Sequence, residues 1–320
     1  ARLLLVEERI VIITVTLNPA MDKTVELDEL IPGETNRVMS YRNDPGGKGI
    51  NVSRVLRTLG TSSLAMGFVS GSVGRFVEAS LNEVGILDDF IHTPGQTRTN
   101  VAITERKKDL TTLLAEPGPI TDPQFLEQLK VRLSGHISPG AWVVFAGSIP
   151  PNLSDDSYAV LIELTRQRGG YAALDADGAP LSRGVAAKPC LIKPNQRELS
   201  YLVGRNLSTF DEVLAAAQEV QREGVDYVVA SMGKQGAVGV THGQAWKAVP
   251  PPVDARSTVG AGDSMLAGVL FSLAQGKSFA EGLRDGSAAG AATALTPGTQ
   301  LCRLEDIQRL LPKVQVERLY

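Results

Sequence analysis

The sequence predicts an α/β protein, a mainly parallel sheet with helices on both faces. Three observations point there. Short β-branched apolar runs alternate with helix-patterned stretches through most of the 320 residues. Several of those runs are apolar without alternation, as strands covered on both faces require. Two further stretches, about 24–41 and 97–114, break the rhythm and look like short strands with polar turns, a small sheet set off from the main one.

In chain order, strands are expected at 10–16, 64–68, 142–146, 171–175, 191–193 and 227–231. Between them, helical spacing of apolar residues predicts helices at 50–59, 76–84, 125–133, 158–168, 211–223 and 264–273. In the second β stretch Val101 and Ile103 alternate with Asn100, Ala102 and Thr104, and Lys107, Lys108 and Asp109 supply a turn. A separate small sheet serves either as a lid that excludes water or as a dimerising surface. The apolar run 10–17 follows Glu7, Glu8 and Arg9; it is too short to cross a bilayer and fits a buried strand, not a signal peptide. Length favours one large domain, taken as 1–320 with the lid included.

Hydrophobic residues make up 43 % and charged residues 21 %, an ordinary globular balance. The net charge of -3 gives no reason to expect nucleic acid or an anionic membrane as partner. Aromatics at 5 % argue against base-stacking platforms. Cys190 and Cys302 make no disulfide or metal framework and suit reduced thiols in a cytoplasmic protein. His92, His136 and His242 are isolated and suggest no metal cluster.

The segment richest in chemistry is Ser257-Thr258-Val259-Gly260-Ala261-Gly262-Asp263-Ser264-Met265, running into a helical pattern. Two glycines there let the backbone fold tightly and leave first-turn amides pointing outward. With the helix dipole behind them, these amides suit a transferring phosphoryl group. Asp263 is either a helix cap or a base for an attacking hydroxyl. The dinucleotide fingerprint fails at its third glycine, where Met265 stands, and Walker A fails because Phe271 occupies its first glycine position.

Pro45-Gly46-Gly47-Lys48-Gly49-Ile50-Asn51-Val52 again sets glycines before a helix. Lys48 offers a point charge for phosphate and Asn51 a partner for hydroxyls; a tight turn with a solvated lysine is the alternative. Asp22, in Asn18-Pro19-Ala20-Met21-Asp22, follows the first strand and either holds two sugar hydroxyls or makes an Asx turn. In Lys193-Pro194-Asn195-Gln196-Arg197-Glu198, Asn195 could meet nucleotide phosphate. Glu198 there could organise Mg²⁺ through water or be a solvated helix acid. Ser231-Met232-Gly233-Lys234-Gln235-Gly236 is a glycine turn suited to border a nucleotide, and Arg98 a partner for substrate phosphate.

Taken together and in this order, with Gly147-Ser148-Ile149-Pro150 between the second and fourth, these segments resemble the ribokinase superfamily, in its phosphofructokinase B branch. The resemblance covers nearly the whole chain. It implies a three-layer αβα ribokinase-like domain with a small β lid, commonly paired with a second subunit's lid in a homodimer. It implies ATP and Mg²⁺ as cofactors, leaves open a need for K⁺, and implies a small phosphosugar as substrate. It makes Asp263 the catalytic base, with Gly260, Ala261 and Gly262 as the anion hole. It places Asp22, Gly47, Lys48, Asn51, Arg98 and, from the partner subunit, Arg37 on the sugar phosphate. It assigns Asn195, Ser231, Gly233, Gly236 and Thr258 to the nucleotide and Glu198 to the Mg²⁺ region. Gly33-Glu34-Thr35-Asn36-Arg37 and the Lys48 form of the glycine loop look like kinases of fructose 1-phosphate or tagatose 6-phosphate. The tail Thr296-Pro297-Gly298-Thr299-Gln300-Leu301-Cys302, with Val249-Pro250-Pro251-Pro252-Val253, looks like the minor bacterial 6-phosphofructokinase. Fructose 6-phosphate is the leading expectation, and the tail is expected to lie away from the sugar. The competing readings are a kinase of an unphosphorylated sugar or nucleoside, which Lys48 and Arg98 disfavour, a silent sugar-phosphate sensor, and a nicotinamide oxidoreductase.

Overall fold

The computed structural model describes residues 12–320. Ile10 and Val11 of the first expected strand fall outside it. In chain order the strands are β1 (Ile12–Thr16), β2 (Ala20–Leu27), β3 (Ser40–Gly46), β4 (Leu64–Val69), β5 (Leu87–His92), β6 (Arg98–Glu105), β7 (Leu110–Leu114), β8 (Trp142–Ala146), β9 (Tyr171–Asp175), β10 (Leu191–Ile192), β11 (Tyr227–Ser231), β12 (Ala237–Thr241), β13 (Gln244–Val249) and β14 (Gln315–Arg318). The helices are α1 (Lys48–Thr58), α2 (Gly71–Glu83), α3 (Pro123–His136), α4 (Ser157–Gln167), α5 (Gly178–Ala186), α6 (Gln196–Val203), α7 (Phe210–Arg222), α8 (Ala261–Ala274), α9 (Phe279–Ala294) and α10 (Leu304–Leu310).

The main sheet has the order β14-β13-β12-β11-β10-β9-β8-β1-β4-β5. From β5 to β11 every pairing is parallel, and β11 to β14 form an antiparallel edge that the sequence reading missed. Three layers follow from β8 alone. Val143 and Phe145 enter one core with Leu129, Leu161 and Val213, while Trp142, Val144 and Ala146 enter another with Val55, Leu266 and Ala289. A pleated strand sends alternate side chains to opposite faces, and here both faces are covered. Helix α9 also went unread, because its Gly- and Ala-rich face shows no bulky periodicity. Those small residues let it lie close to α8: a Cβ on Gly268 would sit 2.7 Å from Asp285 backbone, and one on Gly286 2.6 Å from the Met265 carbonyl.

The second sheet has the order β3-β2-β6-β7. Its first pair is larger than the expected 24–41, starting at Ala20 and ending at Gly46, while 28–39 is a loop. Asp22 is therefore a strand residue, not a turn residue. The register makes this sheet amphipathic. Asp22 faces Asp44 and Asn100 across the strands, and Thr24 faces Arg42 and Ala102. The opposite face carries Val25, Tyr41, Val101, Ile103 and Leu114, with Tyr41 70 % and Leu114 55 % exposed.

Candidate active site

Helix α1 begins one residue after Gly47, which stands at φ 112° as its N-cap, so Lys48 is the first helical residue and not part of a loop. The glycines before it are required by contact. A Cβ on Gly46 would lie 2.2 Å from Asp22 Oδ2, and one on Gly49 2.4 Å from Thr16 Oγ1. Only a bare backbone lets this turn approach the Asp22 carboxylate so closely.

Three α1 side chains then reach four acids. Lys48 Nζ lies 2.8 Å from Asp175 Oδ1 and 3.7 Å from Glu198 Oε1. Asn51 Nδ2 donates to Asp263 Oδ2 at 2.8 Å, joining residues 212 apart in sequence. Arg54 Nη2 is 3.4 Å from Asp44 Oδ1, and Arg42 holds the same carboxylate at 2.8 Å.

Asp263 is buried in the first turn of α8. Burial first, and the charge of Asp175 second, push its carboxyl up to about 6; Lys48, Asn51 and Lys193 pull the other way. A carboxylate poised there is suited to take a proton near neutral pH. It does not act as an N-cap: Gly260 holds that position in the left-handed region at φ 77°, and no side chain caps the helix. The Ala261 amide turns back to the Thr258 carbonyl at 3.3 Å, whereas no carbonyl among the described residues takes the amides of Gly262 and Asp263. The unclaimed amides thus lie one residue later than Gly260, Ala261 and Gly262, over which an anion hole was expected.

Beneath it lies a buried ionic trio. Asp175, at the end of β9, meets Lys48 and, at 3.1 Å, Lys193. Burial works against the Asp175 charge, but Lys193 and Lys48 outweigh it and hold its carboxyl below the usual range. Burial likewise works against the Lys48 ammonium, yet Asp175, Asp263 and Glu198 raise it. A Cβ on Gly262 would stand 3.2 Å from Lys193 Nζ, so that ammonium underlies the free amides. Asp175 and Lys193 were not picked as site residues from sequence. Their position at the carboxyl ends of adjacent parallel strands was the available signal.

On the small sheet, Asn100 Nδ2 donates to Asp22 Oδ1 at 2.8 Å, and burial raises the Asp22 carboxyl despite that bond. Arg98 donates to the carbonyls of Glu116, at 2.8 Å, and Asn18, at 3.0 Å, while its Nε is buried with no partner among the described residues. It borders a cavity of about 540 Å³ with Glu116, Gly118 and Pro119. Asn100 was a further residue the sequence reading left unassigned. The tail meets the small sheet: Thr299 Oγ1 donates to Asp44 Oδ2 at 3.2 Å and lies 3.2 Å from Thr24 Oγ1. Asp44 stands opposite Asp22 across the strands, so the tail braces the strand pair that bears Asp22.

Of the residues expected at a nucleotide, Asn195, Ser231, Gly233 and Gly236 lie at or just after the ends of β10 and β11. Asn195 and Glu198 form a reciprocal capping box on α6, and Asn195 bridges to Ser231. Glu198 thus spends one oxygen on the Asn195 amide and turns the other towards Lys48. One oxygen near a cation fits a second-sphere role for Mg²⁺ held mainly by phosphates, as that ion prefers. Gly233 and Gly236 take φ 57° and 96° in the turn after β11, and a Cβ on Gly236 would strike the Ala248 carbonyl at 2.0 Å. Thr258 is exposed just before the anion hole. Arg37 is not brought to this cluster; it lies exposed in the 28–39 loop.

Residues 8–307 match the family model described as pfkB family carbohydrate kinase. The chain belongs to that family. It is 38 % identical over 308 residues to 1-phosphofructokinase of Xanthomonas campestris, spanning 94 % of each chain. It is 37 % identical over 299 residues to ATP-dependent 6-phosphofructokinase isozyme 2 of Mycobacterium tuberculosis, covering 93 % of this chain and 88 % of that one. Phosphofructokinase-2 of Escherichia coli, solved in complex with potassium, superposes with a TM-score of 0.91 at 34 % identity over 95 % of this chain and 99 % of that one. A ribokinase of Thermotoga maritima shares the fold at TM-score 0.77 and 20 % identity. The pfkB chain described here is a phosphofructokinase-type sugar kinase, a phosphotransferase, and its family implies ATP as phosphoryl donor. Among the described residues no helix is long and apolar enough to cross a membrane.

Proposed function

We propose that this kinase transfers the γ-phosphoryl group of ATP to fructose 6-phosphate, giving fructose 1,6-bisphosphate. The observation that carries the reading is Asp263, buried, bonded to Asn51 and set beside two unclaimed helix amides. Asp22, Gly47 and Asn51 hold the sugar, and Arg98 takes its phosphate. Lys48, tied to Asp175, faces the reacting end instead of the sugar's own phosphate. Asp263 accepts the hydroxyl proton as the oxygen attacks in line, and the Gly262 and Asp263 amides stabilise the charge on the moving phosphoryl group. Asn195, Ser231, Gly233, Gly236 and Thr258 border the nucleotide. Mg²⁺ supplies charge neutralisation on the ATP phosphates when bound, with Glu198 the acid that would face its water shell.

Contact of the tail with the strands of Asp22 and Asp44 favours fructose 6-phosphate, since that tail resembles the minor 6-phosphofructokinases. Fructose 1-phosphate is the second reading, favoured by the Lys48 loop and its Asp175 partner. Tagatose 6-phosphate stands with it. The small sheet acts as a lid, its polar face over the sugar and its apolar face against the lid of a second copy. Arg37 reaches substrate only from that copy. ADP release with MgATP and, separately, fructose 6-phosphate, fructose 1-phosphate, tagatose 6-phosphate and fructose tests the reading, with and without K⁺. Preference for fructose 6-phosphate supports it, preference for another phosphosugar replaces the substrate, and ATP binding without turnover on any would leave a silent sensor.

A further inference from the structure

Behind the turn that opens α8 runs a chain of hydrogen bonds through two buried hydroxyls. Ser264 Oγ donates to the Gly260 carbonyl at 2.9 Å, and that carbonyl also accepts the Ser264 amide at 2.9 Å. A hydroxyl has one proton. When that proton points at Gly260, Ser264 accepts at its contact with Thr293 Oγ1, 2.7 Å away, and the Cys302 thiol lies within hydrogen-bond reach of both hydroxyls. With its own proton committed, Thr293 Oγ1 accepts the Cys302 amide at 3.1 Å. The relay runs from the Cys302 N–H through Thr293 and Ser264 to the Gly260 carbonyl. Both hydroxyl residues are fully buried, with 0 % exposure, so no water substitutes for either.

The target of this relay matters. The Gly260 carbonyl and the Ala261 amide belong to one planar peptide unit. Fixing the carbonyl fixes the plane, and with it the tilt of the left-handed turn from which the Gly262 and Asp263 amides project. The loop 293–302 seats the same turn from outside: a Cβ on Gly260 would lie 2.7 Å from Leu301 Cδ2. A chain of aligned donors also polarises its members cooperatively.

We propose that Ser264 and Thr293 are positioning residues for phosphoryl transfer, holding the Gly260–Ala261 peptide so that the following amides meet the transferred group. The proposal rests on reading that turn as the anion hole. The test is steady-state kinetics with MgATP and the preferred phosphosugar on Ser264→Ala, Thr293→Val and the double variant, with melting temperatures alongside. Ser264→Ala should lower kcat about tenfold or more, less than the loss of an anion-hole donor itself, and leave both KM values within about threefold. Thr293→Val should lower kcat severalfold. The double variant should be no slower than Ser264→Ala, because Thr293 acts through Ser264. Wild-type kcat in Ser264→Ala, multiplying effects in the double variant, or KM values that rise as kcat falls would overturn the proposal. If Ser264→Ala does not fold, Thr293→Val decides, and an unchanged kcat there overturns it. Asp263→Asn separates the two layers. An inactive Asp263→Asn beside a normal Ser264→Ala sinks the relay alone, whereas an active Asp263→Asn takes the base away from this turn and with it the reading of the turn as the site of transfer.

Discussion

Replacing Asp263 by asparagine should slow turnover and stabilise the fold in the same molecule. The carboxyl stands at about 6 in the folded protein against an ordinary 3.8, burial being the first cause and Asp175 the second. That displacement sets a ceiling of ~3 kcal/mol on the cost of holding the charge, at 1.36 kcal/mol per tenfold. The sign follows from proton counting. Between pH 3.8 and about 6 the folded state keeps a proton that the unfolded chain has released, so stability falls as pH rises through this window. Asparagine fills the same space without the charge, and Asn51 can still donate to its carbonyl oxygen. The variant should gain up to ~3 kcal/mol at pH 8, and the gain should shrink at pH 5. Urea unfolding at both pH values measures it. Turnover should fall ~10²–10⁴-fold, the usual worth of a general base. Near-normal turnover, or a stability gain of equal size at pH 5 and pH 8, would refute the idea of a base strained by burial.

Four further outcomes are expected. The acid limb of kcat/KM should bend near pH 6, where Asp263 protonates in the free enzyme, and a rate flat down to pH 5 would assign the base elsewhere. Lys48→Met leaves fully buried Asp175 with Lys193 alone and should cost about 3 kcal/mol in urea unfolding; an unaltered midpoint would mean the pair is not formed in solution. Arg98→Ala should raise KM for the phosphosugar ~10–100-fold, the worth of a charged hydrogen bond, while any slow turnover of plain fructose stays unchanged; equal loss on both sugars would detach Arg98 from the phosphate. Leu114→Glu places a charge on the exposed apolar face of the small sheet and should convert a dimer into monomers in sedimentation velocity, whereas an unaffected dimer would put the interface elsewhere.

The sequence by itself determined the class of the molecule. Unalternated runs such as Trp142–Ala146 announced strands buried on both faces, and all six expected strands appear over the described residues. Glycines before α1 and α8 were legible because positive φ at Gly47 and Gly260 and contact at Gly46 admit little else. Elements whose signal lies in small residues or polar edges were not legible: Gly- and Ala-rich α9, and the antiparallel β12 and β13. The site was legible only as separate segments. Folding decided that Asn51 meets Asp263 across 212 residues, that Lys48 pairs with Asp175 instead of lying free, and that the tail reaches Asp44. It also decided that Ser264 and Thr293 meet behind the turn that opens α8. Local sequence fixes propensity and pattern, but a carboxylate's charge state and a lysine's partner depend on burial and on distances that exist only once remote strands are packed side by side.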